Sequence, residues 1–346
     1  MHFFRKITLV SPLLVLMAPL LASAHEVYVL DPTTVAQAMA AQSPNPFGAI
    51  AHNQPLFILW GFISFVIFST VVAVSAFRVF EKRLDPTLFA LKRYALPVVR
   101  MTLGLCVIAL AAMGNIYGSE LFLTTLFGSA TDIARILLGA VGIAIALGFY
   151  TRVMAALVLA LYAYSAIPLG SYVLTYTDYL GAAIAVTILG GGRWSLDNLF
   201  RLKGPEFLNR LVRPLSPYAF PILRMCFGWG ILWASVYAKF IHSQLALDVV
   251  TQYNLTRFFP FDPLFVVLGA LIVEFILGLM VFSGVALRWS LFFLAFWLTL
   301  SLLYFKELIW PHGILFGIAI ALLLHGYDRY SLEGFFFKKN HREPVL

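Results

Sequence analysis

The sequence predicts an all-α polytopic membrane protein: about nine transmembrane helices after a signal peptide, built as two parallel-repeat four-helix bundles plus one extra helix. Three observations carry this expectation. Of the 346 residues, 61% are hydrophobic and only 12% charged, and the mean hydropathy is +0.90, so most of the surface must face lipid. Apolar runs of near-spanning length recur along the chain. A peptide closing the fifth run, GGGRWSLDNLF from Gly190 to Phe200, returns as RYSLEGFF from Arg329 to Phe336 after the ninth, which marks a duplication.

The chain opens with Arg5 and Lys6, runs apolar from Ile7 to Leu21 and reaches Ala22-Ser23-Ala24, the pattern of a secretory signal over 1–24 cleaved before His25. An uncleaved anchor is the other reading, and both place His25 outside. Residues 25–54 form an external segment, with Asp31-Pro32-Thr33-Thr34 as a helix start before an Ala-rich stretch. An extra transmembrane helix over 55–81 follows. The first repeat then covers 97–200, with apolar runs at about Pro97 to Tyr117, Asp132 to Tyr150, Val153 to Val173 and Tyr179 to Gly191. A basic, proline-containing linker spans 201–217. The second repeat covers 218–336, with runs at about Tyr218 to Ile241, Pro263 to Val285, Trp289 to Phe305 and Pro311 to His325, and a tail fills 337–346.

Charge placement agrees with this division. With the N-terminus outside, 18 of the 22 Lys and Arg after the leader fall on the cytoplasmic side, and only Arg135, Lys239, Arg257 and Lys306 fall outside. One missing helix would invert every later loop and destroy the bias. The net charge of +8 is thereby explained by topology and anionic lipid headgroups, with no need of nucleic acid. The expected location is a bacterial-type inner membrane, with the mature N-terminus outside and the C-terminus cytoplasmic.

Further matches extend the duplication. Val99-Arg100-Met101 corresponds to Leu223-Arg224-Met225, and Leu138-Gly139-Ala140 to Leu268-Gly269-Ala270. Each half has the same even number of helices, so the repeats run parallel and are not an inverted pair. An Arg opening the first helix, small residues within the helices, a basic residue at that helix's outer end, an acid in the second helix and the GGGRWSLD ending together resemble the DoxX family, over about 97–200 and again 218–336. The resemblance implies a four-helix membrane unit found in proteins of respiratory or thiosulfate oxidation that use quinone as acceptor. Other relatives accompany redox enzymes or assist maturation of a partner, so the likeness does not by itself assign an activity.

The halves differ in chemistry. This matching sets Asn115 opposite Lys239 and Ala144 opposite Glu274, so the second half alone keeps an ionisable pair. Glu274 is expected about 16 Å into its helix, near the bilayer midplane, where an unpaired carboxylate costs about 2.5 kcal/mol or more. Lys239 is its natural partner, or else an interfacial lysine reaching for headgroups. His312 is a candidate proton carrier or an interfacial hydrogen-bonder, in a connection that also carries Lys306, Glu307 and Trp310. Arg224 and Trp310 are the candidates for holding a cofactor, with membrane anchoring as the alternative for Arg224. Arg193 with Asp197 and Arg329 with Glu333 stand at i, i+4 spacing and suit structural capping.

Metal and covalent chemistry find little support. Cys106 and Cys226 form no metal or haem motif, and no nucleotide-binding glycine pattern occurs. Only a freed His25, with His52 or His242 completing the set, could present nitrogens suited to copper. Expected function is an integral subunit of a respiratory or redox system that handles quinone or protons in the C-terminal bundle. The alternatives are a non-catalytic membrane anchor or assembly factor for an external redox or metal enzyme, and a small-solute transporter. Expected partners are the lipid bilayer and a periplasmic or membrane redox protein.

Overall fold

The structure, a computed structural model, describes residues 29–77, 81–306 and 309–336; the expected signal peptide, the copper site at His25, Glu307 and the tail from 337 lie outside the described residues. Seven helices in the described residues are long and apolar enough to cross a membrane, and Ile309–His325 is apolar but shorter. A chain in lipid must satisfy its backbone polar groups internally, and helices do so without a partner. One short antiparallel ladder interrupts the helices: β1 (Asn115–Ile116) paired with β2 (Gly118–Phe122).

The element order follows the expected repeats. After α1 (Pro32–Ala40), α2 (Gln54–Phe77) and α3 (Glu81–Leu91), the first half contains α4 (Ala95–Met113), α5 (Thr131–Leu147), α6 (Thr151–Leu169) and α7 (Thr177–Leu189). The second contains α8 (Ala219–Val236), α9 (Ser243–Gln252), α10 (Pro263–Ser283), α11 (Leu287–Phe305) and α12 (Ile309–His325). The apolar stretch 151–189 is continuous in composition, but α6 and α7 pack on each other, so the chain reverses at Gly170–Tyr176. Local signals place the ends: Asp31 and Asp262 accept backbone N–H groups at the starts of α1 and α10, each followed by Pro.

Contacts in the two halves match one another. In one half the α4–α5 crossing is so close that a Cβ on Gly104 would strike the backbone of Gly142 and Ala146. In the other, a Cβ on Gly228 would strike the backbone of Gly278 and Phe282. Gly148 and Gly284 end α5 and α10 in left-handed conformations, φ 75° and 71°. These pairs are 136 residues apart within the second helix of each repeat. Glu274 is therefore equivalent to Leu138, not to Ala144, and the expected match of Leu138-Gly139-Ala140 with Leu268-Gly269-Ala270 is out of register by six residues. The tripeptide likeness misled because small and apolar residues recur throughout such helices, whereas a glycine at a helix crossing is fixed by contact. The chemical asymmetry survives, since Leu138 is no more ionisable than alanine.

The two halves are in intimate contact. The fourth helix of each half packs on the first helix of the other, α7 on α8 and α12 on α4. The small residues make this possible: Gly181 lies against Cys226 and Leu223, and Gly317, 136 residues later, against Thr102. One hydrophobic core consequently runs through both halves. The extra helix α2 also takes part in the packing. It lies against the second half, with Trp60 beside Gly269, Phe57 beside the Phe265 cluster and the Ser75 hydroxyl bonded to Glu333.

At the end of the molecule where α4 and α8 begin, Arg100 and Arg224 perform the same task. Arg100 donates to the carbonyls of Gly191 and Trp194, both at 2.6 Å, and Arg224 to those of Val281, Phe282 and Tyr330. Each arginine thereby ties the peptide after its fourth helix to the first. Asp197 accepts from the N–H groups of Tyr150 and Thr151, and Glu333 from that of Leu287. The repeated acids thus cap the third helix of each repeat, not the short helix that carries them.

Candidate functional site

The last turn of α8 widens into a π-helix, Tyr237–Ile241, which carries Lys239. Such a turn inserts one residue and redirects the side chains that follow, and it occurs frequently at functional sites. Lys239 is thereby directed inward. Its Nζ lies 2.8 Å from Oε2 of Glu274, with the two side chains 5% and 17% exposed. Glu274 stands eleven residues beyond Pro263 on α10, about 16 Å along the helix. A buried pair of this kind offsets a desolvation cost of several kcal/mol per ion, and breaking it by removing one partner typically costs about 3–5 kcal/mol.

The pair forms part of the wall of a cavity of about 500 Å³, within the size range of small-ligand sites. His312, buried in the first turn of α12, lines the same cavity. The three residues singled out for chemistry from three separate apolar runs are therefore gathered in one chamber. The remaining wall is largely apolar and aromatic, including Tyr237, Trp297 and Tyr304. Asp178, from the first half, completes the ionisable set. It is 3% exposed, occupies the first turn of α7 and reaches the cavity because α7 packs against α8.

The two residues expected to hold a cofactor lie elsewhere. Arg224 is fifteen residues before Lys239, about 22 Å away along the helix, and is committed to Asp328 at 3.3 Å and to backbone carbonyls. Trp310 packs against the common core and does not line the cavity. Neither does Lys306, which ends α11 in a left-handed conformation and is exposed. His242 lies just past the π-turn with its ring 4.7 Å from Tyr237, and burial holds its imidazole below the ordinary histidine value. In the described residues no group of three or more His, Cys, Asp or Glu is placed to hold a metal ion.

Comparison of the halves shows what stands at the corresponding positions of the first. In the first half Tyr117 packs against Tyr162, Tyr176 and Tyr179 with centroids 5.7, 5.5 and 5.1 Å away. The residues 136 positions beyond the last three are Leu298, His312 and Leu315, all of which line the cavity. Three rings that fill one half are replaced by smaller side chains in the other. Tyr172 and Tyr176 face the cavity from the first half, and both donate their hydroxyls to Oε1 of Glu120, which fixes that wall.

The lining residues that are also exposed are Phe258, Phe259, Leu300 and Tyr304. They lie together, between the turn after α9 and the last third of α11. Leu300 and Tyr304 share the second half of α11 with exposed Phe296 and Leu303. The opening is therefore on the apolar flank of the bundle and not at its polar end. Asp178, the tyrosine wall and this opening were not legible as a site in the sequence. Matching the repeats position by position is the one signal that could have shown three tyrosines exchanged for Leu, His and Leu.

Fold and site together define a multi-pass helical protein with a buried ion pair in an apolar chamber. No family model, curated protein or solved structure matches the chain.

Proposed function

We propose that this protein is an integral membrane subunit of a redox system, and that the cavity of its second half holds a lipophilic carrier such as a quinone while Lys239, Glu274 and His312 handle protons. The observation that carries the reading is the Lys239–Glu274 pair, set 2.8 Å apart in an otherwise apolar and aromatic chamber. Buried ionisable groups in membrane helices default to functional roles because they are costly to keep. Likeness to DoxX-type repeats supports the same class of function.

The chamber suits the carrier. It is large enough for a substituted ring, offers aromatic faces in Trp297 and Tyr304, and presents charged groups at one wall. A bound quinone supplies the capacity to take up two electrons and two protons, the electrons coming from a partner redox protein. Lys239 would hold an oxygen of such a ligand by donating a hydrogen bond. Glu274 and His312 are the groups placed to hold and release protons, and the apolar wall excludes competing water. In this reading the chain crosses the membrane nine times, with the arginine end cytoplasmic and the cavity near the outer leaflet of a bacterial-type inner membrane.

The test compares Glu274→Gln with the unaltered protein in membranes supplied with candidate electron donors, following quinone reduction. A loss of at least tenfold is expected. Unchanged turnover, or no quinone recovered by lipid extraction of purified protein, would favour a non-catalytic anchor or assembly role instead.

A further inference from the structure

Two aromatic rings meet across the mouth of the chamber. Phe258, in the turn between α9 and α10, lies edge-on to Tyr304, in the last turn of α11, with ring centroids 5.6 Å apart. The turn and α11 are the two sides of the opening, and both residues line the chamber. The sides are held differently. Tyr304 stands on a spanning helix and donates its hydroxyl to the carbonyl of Tyr253 at 3.1 Å. Tyr253 is itself anchored: its hydroxyl donates to the carbonyl of Val29 at 3.0 Å, and its ring lies edge-on to Phe305 at 4.9 Å. The segment that begins at Val29 is seated on α9, where Leu30 and Ala38 pack with Leu245 and Val249. Tyr253 thus joins the N-terminal segment, the end of α9 and the end of α11 at one point beside the mouth.

Phe258 stands on a short irregular turn. Its N–H donates to the carbonyl of Leu255 in that same turn, which the chain enters through Asn254 in a left-handed conformation, φ 48°. Its side chain is 59% exposed, against 38% for Tyr304. An exposed side chain changes rotamer within nanoseconds, and the edge-on contact with Tyr304 is what Phe258 must give up for the mouth to clear. We infer that Phe258 and Tyr304 form a gate between the chamber and the bilayer, with Phe258 as the moving leaf, Tyr304 as the standing one and Tyr253 as the latch that holds Tyr304. The gate depends on the ring positions alone, and only the identity of what passes through it rests on the proposed function.

Entry into the chamber is measured in the full-length protein reconstituted in vesicles, from the tryptophan emission lost in Trp297→Phe, because Trp297 lines the chamber. The vesicles are mixed rapidly with a nitroxide-labelled stearic acid. A first quenching phase, common to every variant, is partition into the bilayer, and a later one is entry. Phe258→Ala should speed the later phase by about threefold or more, the factor that one edge-on ring contact is worth. Tyr304→Phe, which unlatches the ring but keeps it, should speed entry less, and Phe258→Trp should slow it. Unaltered rates in folded Phe258→Ala and Phe258→Trp, or no entry phase in any form, would overturn the gate. Should Phe258→Ala not fold, the sign of the Phe258→Trp effect decides. Decylubiquinone in place of the stearic acid separates the gate from the redox reading. Gated entry of the stearic acid with no quenching by decylubiquinone would remove the quinone and leave the gate, whereas decylubiquinone quenching at rates indifferent to residue 258 would remove the gate alone.

Discussion

Arg224 and Asp328 form a buried ion pair, 3.3 Å between Nε and Oδ2, where the first half has Arg100 and, 136 residues before Asp328, Gly192. Both arginines hold the backbone after the fourth helix of their repeat, but Arg224 is in direct contact with a carboxylate, whereas Asp197 acts on Arg100 through its charge. Asp328→Ala should therefore leave a buried guanidinium charge uncompensated and cost about 3–5 kcal/mol. Thermal unfolding in detergent checks this, and a change below about 1 kcal/mol would contradict it.

The crossing of α8 and α10 depends on the absence of a side chain at Gly228. Gly228→Ala should cost roughly 1–3 kcal/mol or more, because the added Cβ meets backbone that cannot withdraw. Gly269→Ala is the control, since its Cβ would meet only the Trp60 ring at 3.8 Å. Comparable losses in both variants would show that the crossing is not as close as described.

The opening beside Phe258 and Tyr304 should admit molecules from the bilayer. In vesicles of brominated phosphatidylcholine, the tryptophan emission lost in Trp297→Phe should be strongly quenched, and iodide in the aqueous phase should quench it weakly. The reverse pattern would place the opening in water. Phe258→Ala, which widens the opening, should increase the bromolipid effect.

Asp31 supplies a pH dependence with a definite sign. Hydrogen bonds from the Thr33 and Thr34 side chains, and then from their backbone N–H groups, hold its carboxyl well below the ordinary aspartate value of 3.8. Its folded value is depressed, so the support it gives α1 is complete above pH 3.8 and is lost as pH falls through the folded value. Hydrogen exchange over residues 32–40 should therefore accelerate as pH is lowered below 3.8, beyond the intrinsic trend, and Asp31→Asn should remove that extra acceleration.

Much of this architecture is local and was legible in advance. Apolar runs, the Asp-Pro helix start at Asp31 and the two returning peptides point to helices and a repeat without knowledge of any neighbour. Glu274 was conspicuous because a carboxylate in an apolar run needs a partner, and Lys239 stood out as the natural cation. The register of the second helix was not legible, since Leu138-Gly139-Ala140 resembles Leu268-Gly269-Ala270 although only Gly142 and Gly278 occupy equivalent crossings. Nor could Arg224 be separated from the site, because its acceptors are backbone carbonyls far away in sequence.

By itself the sequence determined that the chain is rich in apolar helices suited to a lipid environment, that similar peptides recur in its two halves, and that the second half carries charges the first does not. These properties follow from transfer free energies and from patterns within single segments. Tertiary structure decided that the fourth helices exchange partners between halves, that Asp178 joins Lys239, Glu274 and His312, and that a chamber opens where the other half is filled by tyrosines. Those outcomes depend on which helix faces meet and how closely, a matter of side-chain volume at crossings between residues far apart in the chain.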